Sequence, residues 1–301
     1  MGQIEIGTAS WADKSLVSSG WYPKNAGSSE GRLRYYATQF PLVEVDSTYY
    51  FLPSEKNSGL WAERTPDGFT FNVKAFSLLT QHPAKLKAIP EDLGITTDKK
   101  NIYQEDLAPE VVDEIWDRFL NALEPLRAKN KLGLLLFQFP PWFPIGKRNR
   151  GYVLECARRA QPDRICVEFR NKTWMSEENQ SETLEFLEGH GLPYVNVDMP
   201  QGFTSSIPPI VAATSDIAVV RFHGRNSEDW ESGSVQKRFK YDYLKKELAE
   251  WVPRIKKLNE EADKTQVLMN NCYQDYAPRN GRVLAKLLTD HGVDVVPSPA
   301  A

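Results

Sequence analysis

The stretch Val43-Glu44-Val45-Asp46 alternates apolar and polar side chains, and the repetition of this pattern along the chain decides the fold. Successive residues of a β-strand point to opposite faces, so each such stretch has one apolar face and one polar face. The polar residues come at the C-terminal end of each run, which predicts that they converge on one place. The same alternation returns in Phe71-Asn72-Val73-Lys74, Val167-Glu168-Phe169-Arg170, Val195-Asn196-Val197-Asp198 and Arg221-Phe222-His223.

These stretches belong to a series of eight short strands that helices separate, and only the connection over residues 199–216 has no convincing helical pattern. Eight such units in 301 residues favour an α/β fold, a single TIM-type (β/α)8 barrel, over an open doubly wound sheet. The stretch Gly7-Thr8-Ala9-Ser10-Trp11 also lacks the glycine spacing of a dinucleotide-binding turn. Strands are predicted at residues 4–9, 42–46, 69–75, 132–139, 164–169, 194–198, 217–223 and 266–271, and helices at 31–40, 57–64, 109–129, 149–160, 180–189, 235–259 and 281–290.

Residues 77–108 interrupt the regular spacing of strands and helices. This connection is longer than ordinary loops and contains Gln81-His82-Pro83 and a polar stretch near Asp98. We interpret it as a flap inserted after the third strand of a single domain that spans residues 1–301. The alternative is an unstructured surface excursion.

Composition narrows the classes of function. A content of 41% hydrophobic and 26% charged residues is that of a globular protein, and a net charge of −3 gives no overall field that favours DNA or anionic membranes. No apolar run approaches the roughly 20 residues that span a bilayer, and residues 1–5 lack the pattern of a signal peptide. The three cysteines contain no CxxC pair, which predicts reduced thiols in a cytoplasmic protein.

In a barrel, one face of each strand points at the helices and the other at the barrel axis. If the apolar residues face the helices, the polar residues form an inward set at the C-terminal ends of the strands, where barrel enzymes have their active sites. The alternative is a salt-bridge network whose charges satisfy each other. The inward set comprises Glu44, Asp46, Asn72, Lys74, Gln138, Glu168, Arg170, Asn196, Asp198, Arg221 and His223, with either Asn270 or Asn271 from the last strand.

Within this set, carboxylates and a histidine suit acid–base catalysis. Arg170 is expected to hold one carboxylate ionised while crowding raises the pKa of another, and His223 titrates near neutral pH. The predicted catalytic residues are Glu168, His223, Glu44 and Asp198. The predicted anion-binding cations are Lys74, Arg170 and Arg225, assisted by the amides of Gln138, Asn270 and Asn271.

Aromatic residues follow several strands and supply further predicted contacts to a substrate. Trp11, Tyr49 and Trp174 would stack on a sugar or base, or bury an apolar ligand. The alternative for each ring is that it packs a loop over the end of the barrel.

Metal ligands are fewer than a zinc centre needs. The chain has four histidines, and only His223 lies at a strand end, although His82 could reach in from the flap. No cofactor is expected to be obligatory. A hard ion, Mg²⁺ or Mn²⁺, would use Glu44, Asp46, Glu168 and Asp198. Two further alternatives are a Schiff base on Lys74 and nucleophilic attack by Cys272.

Several motifs together resemble the family called domain of unknown function 72, or YecE-like proteins. The resemblance implies a TIM-type barrel and no settled activity. The second-strand motif of the family often reads Glu-x-Asn where this chain has Glu44-Val45-Asp46. The motifs are Gly7-Thr8-Ala9-Ser10-Trp11, Trp21-Tyr22-Pro23, the stretches 43–50 and 69–75, Leu136-Phe137-Gln138-Phe139-Pro140-Pro141, Val167-Glu168-Phe169-Arg170, Phe222-His223-Gly224-Arg225 and Asn270-Asn271.

The leading hypothesis is an enzyme that acts on a small polar substrate, anionic or sugar-like, at the C-terminal mouth of the barrel. The first alternative is a nucleic-acid-binding or phosphodiester-processing protein, in which aromatic rings stack bases and cations hold phosphates. The second is a non-catalytic barrel that binds a ligand. No membrane association is expected, and the sequence pattern gives no information about the oligomeric state.

Overall fold

A barrel of eight parallel strands forms the centre of the computed structural model, which describes residues 2–299 without the side chains of residues 235 and 236. Seven of the eight neighbouring strand pairs form a continuous ladder, in which the last strand returns to the first. The eighth pair, the fifth and sixth strands, meets where the Val167 N–H donates to the Pro193 carbonyl at 2.9 Å. The predicted TIM-type barrel is confirmed. Its strands are β1 (Gln3–Thr8), β2 (Leu42–Val45), β3 (Thr70–Lys74), β6 (Leu132–Gln138), β7 (Ile165–Glu168), β8 (Val195–Asp198), β9 (Ile217–Phe222) and β10 (Lys264–Met269), while β4 and β5 belong to the flap.

Helices surround the strands, and side-chain caps define where several of them begin. The Ser28 hydroxyl accepts from the Gly31 N–H at 2.9 Å at the start of α2, and Ser54 caps α3 in the same way. The helices are α1 (Lys14–Ser18), α2 (Ser29–Ala37), α3 (Glu55–Glu63), α4 (Pro109–Asn121), α5 (Glu124–Ala128), α6 (Lys147–Ala160), α7 (Gln180–Gly189), α8 (Val235–Arg238), α9 (Lys245–Ala249), α10 (Val252–Glu261) and α11 (Tyr276–Asp290).

Two segments that were predicted as single helices are each divided in the structure. The segment 109–129 divides into α4 and α5, and Pro125 lies in the first turn of α5, where its missing N–H costs no hydrogen bond. The segment 235–259 divides into α8, α9 and most of α10, which has Pro253 in its own first turn. Between α8 and α9 the chain leaves the helix so that Tyr243 is buried against the barrel.

The outer faces of the strands carry the main hydrophobic core. Trp116 of α4 stacks on Phe137 of β6 with ring centroids 5.7 Å apart, and Trp251 packs edge-on against Phe222 of β9. These rings are at most 2% exposed. Burying one large apolar side chain stabilises a fold by about 1.5–3 kcal/mol, so this layer fixes the helices against the barrel.

The flap over residues 77–108 is folded rather than loose. It contains 3-10 turns and a short antiparallel hairpin of β4 (Ala84–Lys85) and β5 (Asn101–Ile102). Ile89 and Ile102 from the flap are buried in the main core. The Gln81 carbonyl accepts from Trp142 Nε1 at 3.2 Å, which ties the flap to the loop after β6. His82 therefore lies at the C-terminal end of the barrel.

Within residues 2–299, no helix is both long enough and apolar enough to cross a bilayer. The cysteines are unpaired thiols, with Cys156 and Cys166 buried and Cys272 half-buried. Burial raises the pKa of the Cys272 thiol well above its ordinary value, so this residue is a weak nucleophile. The cytoplasmic location stays a prediction.

Candidate functional site

Two carboxylates and two arginines form a buried network inside the C-terminal half of the barrel. Arg221 of β9 donates through Nη2 to Glu44 Oε1 at 2.6 Å and through Nη1 to Glu168 Oε2. Arg170 donates through Nε to the other oxygen, Glu168 Oε1, at 2.6 Å. All four side chains are at most 6% exposed. Each charge therefore has a partner of opposite sign, as a buried ion needs.

His223 lies beside this network and is fully buried. Asn270 Nδ2 lies 2.8 Å from His223 Nδ1, and His223 Nε2 lies 3.2 Å from Glu168 Oε1. Arg170 Nη2 is 3.0 Å from the same Nε2 atom. Of the two asparagines that follow the last strand, Asn270 therefore lies on the inner side of the barrel and Asn271 does not.

The electrostatics of the network do not suit the acid–base roles expected of Glu168 and His223. Burial alone would raise the pKa of Glu168, but Arg170, Arg221 and His223 hold it well below its ordinary value. Burial, followed by the charge of Arg170, lowers the pKa of His223 to about 3. Glu168 is therefore a fixed anion and His223 a fixed neutral ring near neutral pH.

A pocket of about 430 Å³ opens above this network at the barrel mouth, and we call it the mouth pocket. Lys74, Gln138 and Arg170 from the strand ends face it. The flap contributes His82, whose ring packs edge-on against Tyr49 and Trp142. The lining residues are Tyr49, Tyr50, Lys74, His82, Gln138, Pro141, Trp142, Arg170, Thr204, Ser205, Trp230, Glu231, Gly233, Arg238 and Phe239.

Lys74 is a titratable side chain of the mouth pocket whose pKa departs from its ordinary value. Its Nζ donates to Gln138 Oε1 at 3.2 Å and lies 4.5 Å from the centre of the Tyr49 ring. Burial, followed by the charge of Arg221, lowers the pKa of Lys74 to about 8, although Glu44 and Glu168 act in the opposite direction. Burial raises the pKa of the nearby Asp46 to about 7. Lys74 and Asp46 therefore titrate close to neutral pH.

Trp230 positions two arginines in the wall of the mouth pocket. The guanidinium carbons of Arg170 and Arg238 each lie 5.5 Å from the centre of its ring. The Trp230 carbonyl accepts from Arg238 Nε at 2.8 Å, and Trp230 Nε1 donates to Ser205 Oγ at 2.9 Å. The ring thus holds Arg238 beside Arg170 without neutralising either charge.

The prediction that Asp198 faces the barrel axis is wrong. The pairing of β8 with β9 places Val197 beside Arg221 and Asp198 beside Phe222, so Asp198 points toward the helices. There its carboxylate accepts from the Tyr243 hydroxyl at 2.6 Å and from Trp251 Nε1 at 2.7 Å. Arg225 joins this outer cluster, bound to Asp198 Oδ2 at 2.7 Å, and is not a wall of the mouth pocket.

Four other predicted residues also lie away from the mouth pocket. Asn196 points outward, where its amide bonds Ala212 and Val219, and Asn271 donates to Asn280 Oδ1 of α11 at 2.7 Å. Trp174 is fully buried and stacks on Phe169 with ring centroids 4.0 Å apart. It therefore packs a loop over the end of the barrel, as the alternative interpretation held. Trp11 packs edge-on against Trp61 of α3.

The proposed Mg²⁺ or Mn²⁺ ligands do not converge. Across residues 2–299, no three His, Cys, Asp or Glu side chains form a group that could hold a metal ion. Glu44 and Glu168 already bind Arg221, Asp198 points away, and Asp46 remains by itself at the end of β2.

Sequence reasoning missed Arg238, Phe239, Thr204 and Ser205 as parts of the site. Arg238 belongs to α8, far along the chain from any strand end, so strand alternation gives no signal for it. The adjacent Lys237-Arg238 pair that follows Trp230 was the available signal. Two further rings of the pocket, Trp142 and Trp230, come from the loops that follow β6 and β9.

The buried histidines predict a steep loss of stability in acid. His223 and His82 have their pKa lowered to about 3 in the folded protein, against 6.5 ordinarily. Between these values the unfolded chain binds protons that the folded chain does not, so the free energy of unfolding falls as pH falls. Each such histidine steepens the fall in the free energy of unfolding by up to about 1.4 kcal/mol per pH unit. His223→Gln is expected to flatten the profile between pH 6 and 4, measured by chemical denaturation.

The exposed His190 supplies the matched control for this measurement. His190→Gln is expected to follow the parent profile, and the comparison uses slopes because His223→Gln also changes the absolute stability. Parallel profiles for all three proteins would show that His223 is not held neutral by the fold.

The chain is thus a TIM-type barrel with a cationic, aromatic pocket at its C-terminal mouth. Comparison with known proteins agrees with the barrel fold. Residues 5–301 match the family model described as Protein of unknown function DUF72, and the chain belongs to this family.

The relatives span nearly the whole chain. The UPF0759 protein YunF of Bacillus subtilis is 32% identical over 291 residues, which cover 95% of this chain and 94% of that protein. A crystal structure of a DUF72 family protein from Thermotoga maritima is 30% identical, with a TM-score of 0.74 and coverage of 95% of this chain and 99% of the other. One from Enterococcus faecalis is 26% identical, with a TM-score of 0.78 and coverage of 95% and 96%.

Proposed function

We propose that the protein is an enzyme that acts on a small anionic substrate in the mouth pocket, where Arg170 and Arg238 hold the anion and Lys74 transfers a proton. The observation that carries this proposal is the division of charge at the barrel end. Three cations face the pocket, whereas Glu44 and Glu168 lie below it, buried and paired with arginines. Glu231 is the acidic lining residue within residues 2–299, and it is exposed to solvent.

The two arginines retain donors for a ligand. Arg170 uses Nε and Nη2 inside the network, and Arg238 uses Nε on the Trp230 carbonyl. Among the described residues, neither Arg170 Nη1 nor the two Nη atoms of Arg238 have a hydrogen-bond partner. Guanidinium groups bind carboxylates and phosphates through such paired donors. The proposed role of Glu168 and His223 is to orient Arg170.

Proton transfer falls to Lys74 in this proposal. A general acid or base works best when its pKa lies near the working pH, and the pKa of Lys74, about 8, meets that condition. Glu168 and His223 do not, since the first stays ionised and the second neutral. The rings of Tyr49 and Trp142 would pack the uncharged body of the substrate, which fits a sugar-like or other flat molecule.

Binding of inorganic phosphate tests the anion site. Isothermal titration calorimetry at pH 7 is expected to give a saturable site, and Arg238→Met is expected to weaken it about 10- to 100-fold, because a hydrogen bond to a charged group contributes about 1.5–3 kcal/mol. Arg34→Met removes a cation on exposed helix α2, paired with Glu30, and is the matched control. A phosphate affinity that is equal in Arg238→Met and Arg34→Met would contradict the proposal.

The nucleic-acid alternative rests on the exposed rings at the rim. Tyr50, Phe51 and Trp142 are each about half exposed, at 49%, 53% and 57%. A fluorescent oligothymidylate in the same buffer separates the two functions, because a rim that stacks bases binds it tightly at low salt and releases it as salt rises. Phosphate binding without oligonucleotide binding favours the small-substrate enzyme.

A further inference from the structure

The side chain of Lys74 has the surroundings of a nucleophilic amine. Its Nζ meets a neutral amide oxygen of Gln138 at 3.2 Å and the face of the Tyr49 ring. Within residues 2–299, no carboxylate oxygen lies within 4.0 Å of Nζ. The amine can therefore lose its proton without breaking an ion pair, unlike Lys264, whose Nζ lies 3.1 Å from Glu5 Oε1.

The mouth pocket places this amine in one cavity with donors for an anion. Lys74 and Gln138 come from β3 and β6, while Arg170 and Arg238 lie against Trp230 in the same pocket. A pocket of about 430 Å³ has the size of a small-molecule site. An anionic group on the arginines would leave the other end of a short molecule beside Lys74.

We propose that Lys74 forms a Schiff base with a small aldehyde or ketone that carries a phosphate or carboxylate group held by Arg170 and Arg238. This inference rests on the anion site of the proposed function, names the class of its substrate and replaces the proton-transfer role of Lys74 with a covalent one.

The step balances without a co-reactant. The neutral amine of Lys74 attacks the carbonyl carbon, and a C–N bond forms while the carbonyl π electrons move to oxygen, which takes up a proton as the nitrogen loses one. The hydroxyl of the carbinolamine then takes up a second proton and leaves as water: the C–O bond breaks, the nitrogen lone pair forms the C=N bond, and the nitrogen loses its second proton. Amine and carbonyl compound thus give an imine and one water. With a pKa of about 8, about a tenth of Lys74 is neutral at pH 7, against less than a thousandth of an ordinary lysine.

Reductive trapping tests the proposal directly. Sodium cyanoborohydride supplies hydride to the imine and converts it to a stable secondary amine, which peptide mass spectrometry locates. The probes are glyceraldehyde 3-phosphate and pyruvate, with uncharged glyceraldehyde for comparison. We expect Lys74 to be modified at least about 10-fold faster than the exposed Lys286 by one of the charged probes, and the faster of the two identifies phosphate or carboxylate as the anion.

Variants make the outcome specific. Lys74→Arg keeps the positive charge but removes the nucleophile, and is expected to abolish the adduct in this peptide. Lys286→Arg is the matched control and is expected to leave it unchanged. Arg238→Met is expected to slow trapping of the charged probe about 10-fold and trapping of glyceraldehyde little. Circular dichroism confirms that each variant is folded.

Phosphate binding and the modification of Lys74 test the anion site and the Schiff base separately. Saturable phosphate binding with Lys74 modified no faster than Lys286 by either charged probe would overturn the Schiff base and leave the anion site in place. Absence of both phosphate binding and selective modification would overturn both. Equal trapping of charged and uncharged probes at Lys74 would overturn the assignment of an anionic substrate.

Discussion

Replacement of Arg221 by methionine is expected to lower the free energy of unfolding by about 3–5 kcal/mol. Arg221 is 1% exposed and bonds Glu44 Oε1 at 2.6 Å, and its other Nη atom bonds Glu168. Methionine fills a similar volume but leaves two buried carboxylates short of a cation. Glu44 Oε2 already lacks a hydrogen-bond partner among the described residues, so it has no second donor to fall back on.

Chemical denaturation followed by circular dichroism measures this loss. Arg34→Met, which breaks an exposed ion pair with Glu30 on α2, is the matched control and is expected to change stability little, because water screens exposed pairs. If Arg221→Met unfolds at the same denaturant concentration as Arg34→Met, the buried network does not stabilise the barrel.

The double variant Arg221→Met with Glu44→Gln refines the result. Its second substitution removes the carboxylate charge of Glu44, which Arg221→Met leaves without a cation, so the double variant is expected to be more stable than Arg221→Met alone. A further loss of similar size would mean that Glu44 stabilises the barrel through some contact other than its pair with Arg221.

Asp198→Ala is expected to lower the free energy of unfolding by about 2–4 kcal/mol and to leave phosphate binding unchanged. The substitution strands the Tyr243 hydroxyl and Trp251 Nε1, which are both buried and both donate to Asp198. A buried donor without a partner costs about 1–3 kcal/mol. Phosphate affinity should stay within about twofold because Asp198 lies on the helix side of β8, away from the mouth pocket.

Denaturation and calorimetry on the same variant distinguish a structural role from a catalytic one. Asp216→Ala, which removes the partner of the half-exposed Arg164, is the control and should cost less. Weakened phosphate binding with unchanged stability in Asp198→Ala would return Asp198 to the site, where strand alternation had placed it.

The strands were predictable because their pattern is local. A period of two with β-branched and aromatic residues marks each strand in sequence, and eight such runs separated by helices leave few alternatives to a barrel. The inward positions of Glu44, Lys74, Gln138, Glu168, Arg170, Arg221 and His223 followed from the same alternation.

The same rule was wrong for β8. Both of its faces are buried, so polar–apolar alternation does not say which face meets the axis. Val195 and Val197 fill the barrel interior, while Asp198 finds donors on Tyr243 and Trp251, more than 40 residues further along the chain. Likewise, the alternation fits both Asn270 and Asn271, and only the position of His223 beside Asn270 separates them.

Alternation and hydrophobic burial act over a few neighbouring residues, so the order of the amino acids alone specified the barrel, its strands and the charged residues at their C-terminal ends. Which charges neutralise one another, and which face solvent, was set by the three-dimensional arrangement. That outcome depends on the register between strands and on side chains brought in from distant segments, such as Trp230 and Arg238. Glu168 thereby became a buried anion paired with two arginines, and Lys74 became the amine that faces the mouth pocket.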